Sequence, residues 1–515
     1  MDKPKTIIGK DVIETLTLGM YEDSRVIYRE YIQNSADQID KAIKEELIKK
    51  EECEIHIDIN RQQRSISIED NATGIQQNRV NNILKNIAQG TKERGVDKGF
   101  RGIGRLGGLG YCDTLIFETS FKGEAVKSIM TWDAKHLKEI INNRISKEEA
   151  AEVIDKVTLL KTEKENTDTH YFKVSLQNVS NDILLNKKEI ETYLSMVAPV
   201  PYEKGFILKQ KIYDQLKKEN ICIDEYKVFI NTNQLFKLYT TTIYKDTNGK
   251  KERTGDEIFD IHFFREHTQN RDLLYWGWYG VSQFEGVIDD INIGKGIRLR
   301  KGNIQIGSKH TLLKFFRDQQ RGNYYFFGEV HAFSPDLIPN ARRDYFLENS
   351  VCHFFENKLR SLFHNELHQL YYDASKIRNA NKRIQDLKTL QEESETKEFS
   401  TKKEKEDFHK HFAQKKQEAH KAKKDLEKIS LKFGETEKET AVKKIFQRVV
   451  DTHEIIPEKI ELPTNGSKTV FRTDKLSRLT KEQRKFLGKI YEIINNVLDK
   501  KTAENLMKKI EEELQ

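Results

Sequence analysis

The stretch Arg29 to Asp40, REYIQNSADQID, sets Glu30 and Asn34 four residues apart and Asp37 three further on. In a helix this spacing puts a carboxylate, an amide and a second carboxylate on one face. A helix packed against the rest of a fold seldom carries such a row, because each group must find a partner or bear a desolvation cost. The face is therefore either a solvated stripe or a site. Oxygen donors in this order suit a hard cation such as Mg²⁺, with one carboxylate left to orient or deprotonate a water.

The helix bearing this face spans roughly Asp23 to Lys50, and EIHIDIN and SISIED follow, alternating apolar and polar residues as half-buried strands do. A glycine-rich region runs from Gly90 to Gly110, then come strands near Thr114 to Ser120 and Val126 to Trp132, and YFKVSLQNV with Phe172, Val174 and Leu176 on one side. Interleaved helices and strands predict a sheet-containing α/β domain of α+β sandwich type over residues 1–185. SMVAPVPYEKG, with Pro199 and Pro201, reads as an extended joint, since a residue before proline avoids the helical region. KVFIN, YWGWYGVSQFEGVI, GIRLRKGNIQIG and YYFFGEVHAF predict a second α/β domain over 186–347.

Between Pro339 and Gly434 there is no glycine or proline, and Lys, Glu, Gln and Ala, good helix formers, dominate. Phe408, Phe412, Lys415, Ala419, Ala422, Leu426, Ile429 and Phe433 fall at steps of four and three, a heptad seam weakened by its alanines and lysine. A short coiled coil or helical hairpin over 348–433 is expected, its tip in EESETKEFSTKKEKED. The remainder, 434–515, crosses the loop IIPEKIELPTNGSK and ends in amphipathic helices near Lys481 to Leu498 and Ala503 to Leu514.

With 515 residues, three or four structural units are the natural expectation. Charged residues make up 33% and the mean hydropathy is -0.73, and no apolar run approaches the ~18 residues of a membrane span. MDKPKTIIGKDVIE has no apolar core behind its lysines, and Cys53, Cys112, Cys222 and Cys352 lie far apart without CxxC spacing. These features predict a cytoplasmic protein with reduced thiols, no zinc site and no membrane partner. A net charge of +7 does not by itself indicate nucleic acid, although lysines gather toward the C-terminal third.

Asp70 ends a strand and opens the turn DNATGI, so that its carboxylate could accept from an exocyclic amino group such as that of adenine, with Gly74 letting a base approach the backbone. A plain Asx turn is the competing reading. Next, KGFRGIGRLGGLGYC carries Gly99, Gly102 and Gly104 ahead of an expected helix at Arg105 to Tyr111, an arrangement of bare N–H groups suited to polyphosphate. No Lys-Ser or Lys-Thr follows as in a Walker loop, and the run does not directly join an early strand to a helix as a Rossmann fingerprint does.

Taken in order, these three elements resemble the GHKL ATPases, named for gyrase, heat-shock chaperone, histidine kinase and MutL, with their Bergerat-type ATP-binding domain. REYIQNSADQIDK is similar to the N-box of the heat shock protein 90 family, NIAQGTK to the start of its ATP lid, with Thr91 and Lys92, and GFRGIG has its glycine spacing. The resemblance implies ATP and Mg²⁺ as cofactors. It makes Glu30 the general base, Asn34 the Mg²⁺ ligand, Asp37 a support for magnesium and nucleotide, Asp70 the adenine-binding carboxylate, and Gly102 and Gly104 neighbours of the phosphates. Thr169 in DTHYFKVSL is the match to a threonine near the adenine, with Asp168 where a glycine is usual, and Ala72 also replaces a glycine.

DLIPNARRDYF resembles the catalytic loop of the chaperone's middle (transducer) domain, with Asn340, Arg343 and Asp344 in pattern. Arg343 is the expected γ-phosphate ligand and Arg342 the rival, because a guanidinium fork can stabilise developing phosphate charge. Arg300 and Lys301 read as surface charge, with catalysis the lesser alternative. After residue 350 the resemblance fades, which leaves open a microrchidia-type branch. The implied function is an ATP-driven clamp on a protein partner or client, homodimeric through the terminal helices or the ATP domain. Alternatives are a DNA-associated GHKL ATPase of microrchidia or MutL type, contacting DNA through the Lys-rich helices in genome or anti-phage defence, and an ATP-sensing scaffold with little hydrolysis.

Overall fold

The computed structural model describes residues 7–17, 22–87, 103–145, 147–316, 320–396, 402–431, 440–452, 476 and 478–514. They divide into two compact units, Met1–Gln369 and Leu370–Gln515. Thr91, Lys92, Gly99 and Gly102 lie outside the described residues, as do the tip of the expected helical hairpin and most of the loop before the last helices. Among the described residues no helix is long and apolar enough to cross a membrane.

The first unit begins with α1 (Asp11–Thr17) and α2 (Val26–Lys44), followed by the hairpin β1 (Glu54–Asn60) and β2 (Ser65–Asp70). Helix α2 stops short of the expected Lys50. Glu46 turns to φ 55° and the Leu47 N–H reaches back to the Ala42 carbonyl at 2.9 Å, so a glutamate takes the left-handed position usually given to glycine. Then come α3 (Gln77–Lys85), β3 (Thr114–Ser120), β4 (Val126–Asp133), α4 (Ala134–Asn142), α5 (Ala150–Val157), β5 (Thr158–Lys164), β6 (Tyr171–Gln177), α6 (Lys187–Val197) and α7 (Lys209–Lys218). Asp133 and Asn186 cap α4 and α6 by accepting from the third following N–H, which fixes where each helix starts.

The expected helix at Arg105 to Tyr111 is instead a 3-10 stretch, Gly104–Gly110. Its glycines give little support to an α-helix and allow close approach: a Cβ on Gly108 would lie 2.5 Å from the Tyr31 hydroxyl.

Strands β7 (Lys227–Ile230) and β8 (Asn233–Gln234) correct the sequence reading, which gave KVFIN to the second domain. They complete the first sheet, whose order is β5-β4-β3-β6-β2-β1-β7-β8, and β7 runs parallel to β1 while the other neighbours are antiparallel. Local pattern shows that a strand exists, whereas its sheet is chosen by pairing, here Ile55 with Val228 and Ile57 with Ile230. Burial alternates along β2 and β6, so Ile66, Ile68, Val174 and Leu176 meet the core shared with Ile27, Tyr31 and Ile39 of α2. The result is the expected α/β architecture of helices layered on a large sheet.

The second sheet combines β11 (Asp260–His267), β12 (Leu273–Val281), β13 (Gly296–Lys301), β14 (Ile304–Gln305) and β15 (Phe327–Ala332) in the order β11-β12-β15-β13-β14. A separate ribbon pairs β9 (Thr242–Thr247) with β10 (Lys250–Glu257). Trp276, Trp278 and Tyr239 fill its core, joined by Ile212 and Leu216 of α7. Helix α8 (Ser350–Ser361) closes this part of the unit.

Arg300, read from sequence as surface charge, is 0% exposed. Its guanidinium donates to Glu329 at 2.6 Å and to the carbonyls of Asn303 and Met196 at 2.9 and 2.7 Å. Lys237, Tyr202 and His331 also bond the Glu329 carboxylate, at 3.0, 2.7 and 3.0 Å. Lys301 is largely buried too, donating to the Phe333 and Ser334 carbonyls. A buried carboxylate is tolerable only when its oxygens are this fully bonded.

Burial drives His331 down to about 4 against the pull of Glu329, while Arg300 and Lys237 hold Glu329 well below the usual carboxylate range although burial opposes them. Between about pH 4 and the usual histidine value the unfolded chain takes a proton that folded His331 refuses, so stability falls on acidification. The loss is on the order of 1.4 kcal/mol per pH unit crossed. His331→Gln is expected to flatten this part of the curve, checked by urea melts at neutral and acid pH; equal slopes for both proteins would refute it.

In the second unit α9 (His368–Thr396) packs along α10 (Lys402–Leu431), Ala380, Ile384 and Leu387 meeting Phe408, Phe412, Ala419 and Ala422. The expected seam thus serves a helix pair, and its Lys415 reaches Asp386 of α9 at 3.4 Å. Three more helices follow, α11 (Ala441–Thr452), α12 (Lys481–Val497) and α13 (Lys500–Leu514), of which α12 starts at a Thr480/Gln483 capping box and packs with α13.

Candidate functional site

Helix α2 places Glu30 and Asp37 at 6% exposure each and Asn34 half-buried, so the face is not a solvated stripe. The Glu30 Oε1 atom accepts from the Arg29 guanidinium at 3.2 Å and pairs with Arg343 Nε at 3.2 Å. Its Oε2 lies against Gly104, where a Cβ would stand 2.5 Å away. Gly104 therefore makes room for the carboxylate.

Arg343 comes from the loop that follows β15 of the second sheet. Asn340 bonds the Asp344 carboxylate and donates its N–H to the Tyr345 carbonyl at 2.9 Å, closing a tight loop. Arg343 sits in that loop at φ 56°, and its carbonyl accepts from Gly307 N–H at 2.8 Å. Its side chain is 12% exposed, whereas Arg342 is exposed and offers only its carbonyl to Arg29, at 3.3 Å. Of the two candidate arginines, the structure brings Arg343 to the α2 face.

Asp70 ends β2 at 1% exposure, and its Oδ1 accepts from Ala72 N–H at 3.2 Å, an Asx turn. Register sets Asp70 opposite Phe172 and Phe172 opposite Thr119, so these three share a row on the helix-facing side of the sheet. Gly74 has φ 65°, and a Cβ there would fall 1.8 Å from the Ser120 carbonyl oxygen. Its bareness serves the chain's own strands, a use the sequence reading gave to an incoming base. Gly74→Ala is expected to destabilise the fold by about 2 kcal/mol or more, since clash and left-handed strain add. A thermal melt checks this, and an unchanged midpoint would refute it.

Thr169 stands in the turn before β6, where its carbonyl accepts from Ser120 Oγ at 3.0 Å. His170, one residue on, bonds the Ala72 carbonyl through Nδ1 at 2.7 Å, and Thr119 Oγ1 accepts from Ile75 N–H at 2.9 Å. Gln38 Oε1 accepts from Thr73 Oγ1 at 2.9 Å. Thus His170, Thr119 and Gln38 hold the DNATGI turn. Thr119 is distinguished by its place in the row with Asp70 and Phe172, and His170 and Gln38 by their bonds to the turn, none of which one sequence displays.

Glu30, Asn34 and Asp37 bring two carboxylates and an amide oxygen to one helix face, donors of the kind a hard cation takes, while among the described residues no group of three or more His, Cys, Asp or Glu side chains gathers that could hold a metal ion. Residues 22–167 match the family described as histidine kinase-, DNA gyrase B-, and HSP90-like ATPase. The chain is also similar to the chaperone protein HtpG of Buchnera aphidicola, 28% identical over 43% of this chain and 38% of that protein. HtpG of Wigglesworthia glossinidia brevipalpis gives the same identity and the same shares. The matched stretch thus spans well under half of these relatives' length.

Proposed function

We propose that this chain is an ATP-driven conformational clamp of heat shock protein 90-like class, hydrolysing ATP to ADP and phosphate. The observation that carries the reading is the 3.2 Å contact between Arg343 of the second domain and Glu30 of the ATPase helix. Asn34, supported by Asp37, would hold Mg²⁺, which neutralises phosphate charge when bound. Asp70 accepts from the adenine amino group, and the glycines up to Gly104 line the phosphates.

Glu30 Oε1 is engaged by two guanidiniums, Arg29 and Arg343. A triphosphate offers Arg343 a richer anion, so Arg343 turns from Glu30 to the γ-phosphate. Glu30 then takes a proton from the attacking water as the water oxygen bonds to phosphorus and the bond to the β-phosphate oxygen breaks. Because the arginine belongs to the second domain, occupancy of the site biases how the domains sit, which makes the work conformational.

The relatives' title of chaperone supports a protein client, with a homodimer as the working form. The test is Mg-ATP binding by calorimetry together with phosphate release, with and without EDTA. A purified chain that neither binds ATP nor releases phosphate ends the proposal. Pull-down with the Glu30→Ala chain and ATP then seeks the client, because a closed clamp retains what it grips.

A further inference from the structure

Gln33 lies on α2 one turn from Glu30 and one turn from Asp37, beside Asn34. It is 1% exposed, and neither its amide nitrogen nor its amide oxygen has a hydrogen-bond partner among the described residues. The flanks of this position are occupied. Arg29, one turn before, bonds the Arg342 carbonyl at 3.3 Å, and Asp40, two turns after, accepts from the Tyr226 hydroxyl at 2.6 Å. In the facing loop, the side-chain oxygen of Asn340 is likewise buried without a partner among the described residues.

A buried amide lacking both donor and acceptor partners costs folding free energy that methionine or leucine of similar size would not. Groups left in this condition are completed by ordered water or by ligand. An amide also presents a donor and an acceptor on one planar head, which suits it to hold a water in one orientation. GTP-hydrolysing switches use a glutamine in this way beside a γ-phosphate.

We infer that Gln33 is a water-positioning residue of the nucleotide site, its amide sharing with Glu30 the water that attacks the γ-phosphate. This rests on the ATPase reading above. On this reading, nucleotide and its waters supply the partners that the amide lacks among the described residues.

The test compares Gln33→Met and Gln33→Leu with the unaltered chain by three measurements: melting temperature without nucleotide, Mg-ATP affinity by calorimetry, and phosphate release at saturating ATP. The expected result is a melting temperature that stays level or rises in at least one variant, since an unpaired polar group has gone. Affinity stays within about threefold while the rate at saturation drops about tenfold or more. Unchanged rates in the variants with a working unaltered chain overturn the inference and leave the ATPase reading standing. A lower melting temperature with parallel loss of affinity in both variants also overturns it, marking an amide that only supports the fold. An unaltered chain that neither binds nor hydrolyses Mg-ATP removes both.

Discussion

Glu30→Ala is expected to bind Mg-ATP and fail to turn it over, the rate falling by about 10²- to 10⁴-fold, the span for loss of a positioned acid–base group. Binding survives because Asn34 and Asp70 stand on other positions of α2 and on β2. The substitution also leaves Arg29 and Arg343 without the carboxylate they share, and breaking a buried pair on one side is destabilising. Glu30→Gln is the necessary companion, because it keeps the shape and loses the basicity. Calorimetry and single-turnover phosphate release separate the steps. Hydrolysis at the unaltered rate in both variants would falsify the assignment of Glu30 as base.

Arg343→Ala is expected to lower the rate at saturating ATP by about 10²- to 10³-fold, the usual effect of removing one preorganised donor to developing charge. Arg342→Ala should stay within about twofold of the unaltered chain, since its side chain is exposed and only its carbonyl meets α2. Arg343→Lys should not restore the rate, because a point charge lacks the planar fork. The decisive result is the contrast between neighbouring arginines. Equal losses at both, or a larger loss at Arg342, would show that the loop reorganises on nucleotide binding into an arrangement other than the contact with Glu30.

Much of the first sheet and of α2 was legible because their signals are local. The period of α2, the alternation of EIHIDIN and SISIED, and the turn at Asp70 each declare themselves within ten or so residues. The row of Glu30, Asn34 and Asp37 is visible for the same reason, whereas the burial of Glu30 and Asp37 is not. What escaped were features assembled from distant parts. Arg300 looks like surface charge until Lys237, Tyr202, Glu329 and His331 converge on one carboxylate. Thr119 gains meaning only through cross-strand register with Asp70, and His170 only through its bond to the Ala72 carbonyl. Gly74 stands out in the sequence as room for a base, and the close approach of Ser120 and Tyr171 to it is not legible there.

Strand β7 carries one more implication, for how the molecule can be taken apart. The chain leaves the first sheet at β6, enters the second core with α7, returns to lie beside β1, and departs again for β9. Neither sheet with its helices can be released by cutting a single peptide bond. A fragment ending before β7 would strip β1 of a neighbour and present a raw strand edge, inviting a foreign strand to take the vacancy. Dissection of this protein should therefore keep Lys227–Ile230 with the sheet it completes.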